Sequence, residues 1–413
     1  MPESMSRRRA MRALLLVFAL TALVPALAAA QAAETPPAVP PQRLLVGGDL
    51  AGIFGPTDEI GFFNYTDYEH NALRLARLQL SGEWRPHPRL SFVGQIRTED
   101  ADGVQLSAAY ARIRPFARYQ FDIQAGRIPP VVGAFSRRAY GRDNPLIGLP
   151  LAYQYLTSLR PDALPATADD LLRMRARGWR PSFPIGSTAI GPGMPLISAS
   201  KWSSGVEGRW QVRWLQFDGA WSLGTPGVPV ATDLDAGQQL SGHVTATLPA
   251  GLIVGVSGAR GRWINDGVLA LVPESQRENS NTTLIATDAE YGYGPWLLRA
   301  EWLQSTYDMP LANQATGPLQ LVSWSGFVEA RRRLSARWQV AIRVDRLTFN
   351  KIQGTLEGGV PTRWDAPIDR AEGAVAFRAT RHLDFRVGWQ HNWRDVGRVR
   401  ERGFPAFQAL YWF

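Results

Sequence analysis

Histidine is the side chain most readily recruited for proton transfer near neutral pH, and the chain has five: His70, His87, His243, His382 and His391. His243 follows Ser241 by two positions. On a strand that spacing puts both on one face, but two neighbours along a strand do not have the geometry of a nucleophile hydrogen-bonded to its base. His70 beside Glu69, and His391 four residues before Asp395, could form an acid–base pair at a rim; they read equally as solvated loop residues. Cysteine is absent, which excludes thiol catalysis, thiolate metal sites, disulfides and a cysteine-borne lipid anchor. Nothing in the chain implies a cofactor or a metal, and catalysis is not the expected activity.

The charge points elsewhere. The formal net charge is +9, and only Lys201 and Lys351 are lysines, so the positive charge is carried by arginine. Arg7, Arg8, Arg9 and Arg12 precede an apolar stretch from Ala13 to Ala28 and small residues at 26–30, the layout of a cleaved export signal. With that signal removed the chain carries +6. An exported chain without a basic run is a poor candidate for nucleic acid, and arginines lining a path for anions are the better reading.

The elements that would position these arginines are strands. Ala76, Leu78, Leu80, Gly82 and Trp84 alternate with Arg77, Gln79, Ser81 and Glu83. Leu215, Phe217, Gly219, Trp221 and Leu223 alternate with Gln216, Asp218, Ala220 and Ser222. The period of two recurs at 296–302, 338–345 and 383–390, which makes one face apolar and the other charged. Sixteen such segments are expected: 43–54, 73–84, 89–98, 104–114, 118–127, 202–210, 213–223, 239–248, 252–261, 282–291, 296–304, 320–331, 337–347, 370–379, 382–391 and 404–413. Their lengths suit a tilted transmembrane strand of about 9–11 residues. No segment beyond the N-terminal one has 18 consecutive apolar residues.

The connections alternate long and short. Those at 55–72, 99–103, 128–201, 224–238, 262–281, 305–319, 348–369 and 392–403 are the long class, with 99–103 modest; Arg85-Pro86-His87-Pro88, Pro249-Ala250-Gly251 and Gly292-Tyr293-Gly294-Pro295 are short. Outer-membrane barrels combine short periplasmic turns with longer extracellular loops, whereas a soluble sandwich has no reason to alternate. Trp84, Trp210, Trp296, Trp338 and Trp389 fit interfacial girdles. The fold class is therefore all-β: a transmembrane antiparallel barrel of about 16 strands over 43–413, preceded by a signal peptide at 1–29 and a Pro/Ala-rich leader at 30–42.

The chain ends Phe407-Gln408-Ala409-Leu410-Tyr411-Trp412-Phe413. Phe413, Tyr411, Ala409 and Phe407 resemble the outer-membrane assembly signal, with Pro405 a departure tolerable at a strand start. The whole mature chain resembles sixteen-stranded bacterial porins, and is similar to the phosphate-selective porin O/P family at Leu75–Gly82 and at Phe121–Pro129. That resemblance implies an outer-membrane location, lipid and lipopolysaccharide around the barrel, the barrel-assembly machinery as a partner, a homotrimer, and a third loop folded into the lumen. The lysine-rich ladder of the phosphate family is absent, so phosphate selectivity does not carry over.

Loop 128–201 is thus the candidate constriction. It carries eight arginines against four aspartates; Arg137, Arg138, Arg142, Arg173 and Arg177 are the candidates for an electropositive eyelet, and an ordinary solvated loop is the alternative. Within it Thr167 and Asp170 spell a capping box, and a helix over 168–177 ending at Gly178 is expected. Arg77, Arg97, Arg299, Arg343, Arg378, Arg386, Asp122, Asp218, Glu301 and Asp345 are expected to line the lumen, in a mixed-charge wall with Arg77 across from Arg97. Phe327 and Trp412 are almost the only inward aromatics, so no sugar-guiding track is expected. Passive diffusion of small polar or anionic solutes is the expected function. A barrel enzyme of lipase or protease type, and a plugged structural or adhesive barrel, are the alternatives.

Overall fold

In the computed structural model, residues 43–66, 70–199, 201–232, 237–310 and 319–413 are described. The expected signal peptide, the leader and Glu69 lie outside the described residues. Sixteen antiparallel strands close into one barrel, each paired with its neighbours in sequence and the last with the first. They are β1 (Leu44–Phe54), β2 (Leu75–His87), β3 (Leu90–Glu99), β4 (Gln105–Ile113), β5 (Gln120–Ile128), β6 (Ser203–Val212), β7 (Leu215–Leu223) and β8 (Gln238–Leu248). Then follow β9 (Leu252–Arg262), β10 (Asn281–Tyr293), β11 (Trp296–Met309), β12 (Leu319–Arg333), β13 (Trp338–Phe349), β14 (Ile368–Thr380), β15 (Leu383–Arg394) and β16 (Glu401–Trp412). The expected spans coincide with these, and the deviations lie at the ends. Closure satisfies the backbone of every strand within the sheet and leaves no edge, the condition for strands to cross hydrocarbon.

The alternation sorts side chains as expected. Val46, Trp84, Trp210, Trp338, Val387 and Trp389 stand exposed on the outer face, Val46 at 66%. Tyr411 and Phe413 do so too, while Trp412 between them points inward, opposite Asp49 of β1. The β1–β16 seam ends in a reciprocal pair of bonds: the Phe413 amide donates to the Gly48 carbonyl at 3.1 Å, and the Gly48 amide donates to the Phe413 carbonyl at 3.3 Å.

Three local expectations need correction. Arg77 lies opposite Glu99, and Arg97 opposite Gln79. β2 runs on to His87, which pairs with Leu90 across a register shift, so Arg77 falls two residues beyond its expected partner Arg97. The helix spans Ala168–Arg173 only. Its capping box is present, with Thr167 Oγ1 accepting from the Asp170 amide at 3.2 Å and Asp170 accepting from the Thr167 amide at 3.0 Å. The left-handed residue after it is Ala176 (φ 59°), not Gly178. Gly178 is required for close approach: a Cβ there would lie 1.6 Å from the Leu156 carbonyl oxygen. Finally, Tyr110, Tyr307, Phe349 and Phe404 join Phe327 and Trp412 on the inward face. A bulge between β3 and β4 changes the face of Tyr110, and β11 and β13 continue past their expected ends to Tyr307 and Phe349.

The seam generates a prediction. Deleting Phe413 removes both closing hydrogen bonds and an outward ring. The yield of the compact, heat-modifiable band on refolding into detergent should fall by more than half. An unchanged yield would show that closure does not depend on the terminal residue.

Candidate functional site: the barrel lumen

The inward wall is charged because the period of two leaves one face to polar residues, and much of that charge is committed to the third connection. Residues 144–160 are buried without interruption. Buried backbone must find hydrogen-bond partners away from water, and the wall supplies them. Arg343, Arg370 and Arg386 are among the most deeply buried side chains of the protein. Arg386 donates to the carbonyls of Asn144 at 2.7 Å and Leu146 at 3.3 Å. Arg343 donates to the Gly148 carbonyl and to Glu372, both at 2.9 Å. Arg370 donates to the Leu149 carbonyl at 2.9 Å, to Gln154 at 2.8 Å, to Asn392 at 2.7 Å and to the Phe63 carbonyl of the first connection at 2.7 Å.

The acids of the same wall accept from the loop's amides. Glu372 accepts from Ile147 at 3.1 Å and Gly148 at 2.7 Å, and Asp345 accepts from the Leu151 amide. Glu301 accepts from the Ala134 amide at 2.8 Å and from the Tyr153 hydroxyl. Glycine at 148 lets the Glu372 carboxylate come close: a Cβ there would lie 2.6 Å from it and displace that clasp. Arg137 pairs with Glu207 at 3.3 Å and Arg138 with Glu290. Arg299 pairs with Glu290 at 2.9 Å and donates to the Asp143 carbonyl at 2.8 Å.

Toward the long-connection end the inward face turns apolar. Leu284, Leu303, Leu321, Phe327, Leu347 and Phe349 belong to one buried cluster with Phe135, Tyr153, Tyr155, Leu159 and Leu171 of the third connection. Phe135 meets Phe327 edge-on at 5.9 Å, and Phe349 meets Trp364 of the seventh connection at 4.6 Å. Asp365 beside it ties the two connections together, accepting from the Ser158 amide at 2.7 Å and the Ala176 amide at 2.9 Å.

Toward the short-turn end lies a cavity of about 760 Å³. Its lining includes Arg97, Arg137, Arg142, Arg331, Arg333 and Arg378, against Asp49, Asp143 and Asp384, with Tyr140 and Trp412 between them. Arg77 and Arg97 both lie over the Tyr140 ring, at 4.1 Å and 5.0 Å from its centroid. A ring face carries negative potential, so Tyr140 together with Glu99 relieves the repulsion between two neighbouring guanidiniums.

No protein-family model matches this chain, and no curated protein matches its sequence. Solved structures do match. An anion-selective porin from Comamonas acidovorans superposes with a TM-score of 0.53 at 10% identity, covering 90% of this chain and 99% of its own. OmpF of Salmonella typhi, in complex with daunomycin, gives 0.53 at 13% identity, covering 90% and 97%. The outer-membrane channel DcaP of Acinetobacter baumannii gives 0.53 at 11% identity, again covering 90% and 97%. The fold is that of the outer-membrane porin barrels.

Within that fold the candidate residues divide. Arg77, Arg97, Arg299, Arg343, Arg386, Glu301 and Asp345 face inward as expected, but Arg343, Arg386, Glu301 and Asp345 are consumed by the third connection. Asp122 and Asp218 also face inward, bound to Arg114 at 2.8 Å and Arg209 at 2.6 Å. Of the loop arginines, Arg137, Arg138 and Arg142 meet wall residues. Arg173 and Arg177 are exposed and do not line the cavity; the helix that ends at Arg173 docks on Thr355 and Leu356 through Asp169, and Arg177 follows it by four residues. Arg331, Arg333 and Tyr140 were not singled out by the sequence; the run Arg331–Arg333 was the only hint, and its place beside Tyr140 in one cavity is invisible to strand periodicity. His243 is held by Asp288 at 3.0 Å, not by Ser241, and His391 by Glu401 at 3.0 Å, not by Asp395.

Two predictions follow from these clasps. Removing a buried donor leaves its acceptors unsatisfied, at about 1–3 kcal/mol each, and Arg370 has four, all neutral. Arg370→Ala should therefore loosen the loop and open trypsin sites after Arg160 and Arg175 in the folded barrel; an unchanged digestion pattern would mean that apolar packing alone holds it. In the first connection, burial pushes the Asp58 carboxyl up to about 6. Its folded value exceeds the unfolded one, so the native state binds the proton more tightly and stability is lost as pH rises through that window. Asp58→Asn should raise the melting temperature at about pH 7 and leave it unchanged at about pH 4; equal shifts at both would refute the assignment.

Proposed function

We propose that the protein is an outer-membrane channel for passive diffusion of small polar solutes, with a modest preference for anions. In this reading the third connection folds into the lumen and narrows it. The observation that carries the proposal is the basic cavity at the short-turn end, where six arginines meet three aspartates. Arg137 and Arg378 have acidic partners there, at 3.3 Å and 3.2 Å. The side chains of Arg142, Arg331 and Arg333 donate to no acceptor among the described residues and leave their charge to the solute. One unit charge at 4 Å is worth about 1 kcal/mol in bulk water and about 4 kcal/mol at an effective dielectric of 20, enough to bias ion entry several-fold.

Planar-bilayer measurements in a salt gradient test this. The unmodified channel should show an anion-selective reversal potential. Arg142→Gln should lower the selectivity, and Arg173→Gln and Arg177→Gln should leave it unchanged. Cation selectivity in the unmodified protein would overturn the anion assignment.

The buried apolar cluster at the long-connection end favours a second reading, a plugged structural barrel, and absence of single-channel conductance would select it. No catalytic role is proposed: the same His243 nitrogen, Nε2, meets Asp288 at 3.0 Å and the Thr245 hydroxyl only at 3.5 Å, which is not the geometry of a base between a nucleophile and an orienting acid. The long connections are assigned to the cell exterior, the surrounding partners to lipid and lipopolysaccharide, assembly to the barrel-assembly machinery, and the quaternary state to a homotrimer. OmpT of Vibrio cholerae, a structural neighbour at 10% identity and a TM-score of 0.50, is known in a trimer form. Phosphate selectivity of the porin O/P kind is not part of the proposal, since the lysines are Lys201 and Lys351 alone.

A further inference from the structure

The cavity at the short-turn end holds more than charge. Trp412, the inward member of the last strand, has the Arg142 guanidinium 4.6 Å from its ring centroid and that of Arg378 at 6.0 Å. The three side chains come from β16, the third connection and β14, and all line the same cavity. The indole lets the two arginines gather there, and it also offers a flat apolar surface that charge selectivity alone does not use. An inward Trp in a polar wall places a large apolar surface beside water, an arrangement that is costly unless something apolar covers it part of the time.

We propose that this corner is a binding site for organic anions with a flat apolar body, of the aromatic carboxylate class. A guanidinium resting on a ring keeps its N–H edge available, and that edge matches a carboxylate with two parallel bonds. Arg142 has this edge free of protein acceptors among the described residues. Arg378 shares its charge with Asp384 at 3.2 Å, so it positions the indole and adds field, while Arg142 takes the carboxylate. The solute's ring then lies along the exposed part of the Trp412 indole. Inorganic anions and short aliphatic carboxylates satisfy the first contact and not the second. A volume of about 760 Å³ accommodates a small aromatic acid with its water.

This inference rests on the channel reading, and the experiment separates the two. Sodium benzoate, sodium acetate and sodium chloride are titrated calorimetrically into the refolded, heat-modifiable barrel in detergent, and the same salts are applied to single channels. Benzoate should bind detectably and reduce the single-channel current, at concentrations about tenfold below those at which acetate does. Arg142→Gln should weaken benzoate binding by about tenfold or more, since a hydrogen bond to a charged group is lost. Trp412→Leu should bring benzoate down to the level of acetate, and Trp412→Phe should restore part of the difference. Arg173→Gln, on the exposed helix, should change nothing. Equal affinity for benzoate and acetate, or an Arg142→Gln variant that binds benzoate as the unmodified protein does, would overturn the proposal. Benzoate binding in a barrel that does not conduct would uphold the site and overturn the channel reading instead.

Discussion

A buried length of irregular backbone is the constraint around which the rest of this barrel is organised. Residues 144–160 are buried, and outside the single helical turn at Leu151–Gln154 they carry amides and carbonyls that a regular element would have paired internally. The wall answers with both signs of charge. Arg343, Arg370 and Arg386 donate to carbonyls, while Glu301, Asp345 and Glu372 accept from amides. The mixed charge of the inner face is therefore mainly structural. These residues neutralise one another and the loop, which is why they can be buried at all.

That commitment divides the interior. At the long-connection end, wall and loop meet through Leu, Phe and Tyr side chains, and the polar bonds form a layer beneath them. At the short-turn end the acids are fewer and three arginines are left without acceptors among the described residues. An electrostatic preference can only come from charge that is not already neutralised. In the proposed channel the selectivity is therefore set by a few residues, Arg142, Arg331 and Arg333, and not by the total of +9. Tyr140 and Trp412 perform related tasks in this region. Each offers a ring face to two guanidiniums, so that positive charges can be concentrated without equal numbers of carboxylates.

Much of this architecture was legible in the residues alone. A strand exposes alternate residues to opposite sides, so a wall between lipid and water must be written with a period of two; the sixteen segments, their outward Trp residues and the terminal Phe407–Phe413 pattern follow from that. The capping box at Thr167 and Asp170 was equally local and equally readable. Where the reading failed, a longer-range term had intervened. The Arg77–Glu99 pairing depended on a register shift near the turn, the facing of Tyr110 on a bulge, and the role of Gly178 on the approach of Leu156.

What the sequence by itself determined, then, is the barrel: its strands, their order, which side of each faces out, and the surplus of arginine on the inner wall. Only the tertiary structure decided which of those arginines are spent and which are available. Arg343 and Arg142 are alike in a sequence, and the first is enclosed between Glu329, Glu372 and a loop carbonyl while the second lies on an indole with its donors unclaimed among the described residues. The physical reason is that strand periodicity is a property of neighbouring residues, whereas neutralisation of a charge depends on what the folded chain brings within a few ångströms of it, here acids on the two adjoining strands and a loop carbonyl 195 positions away.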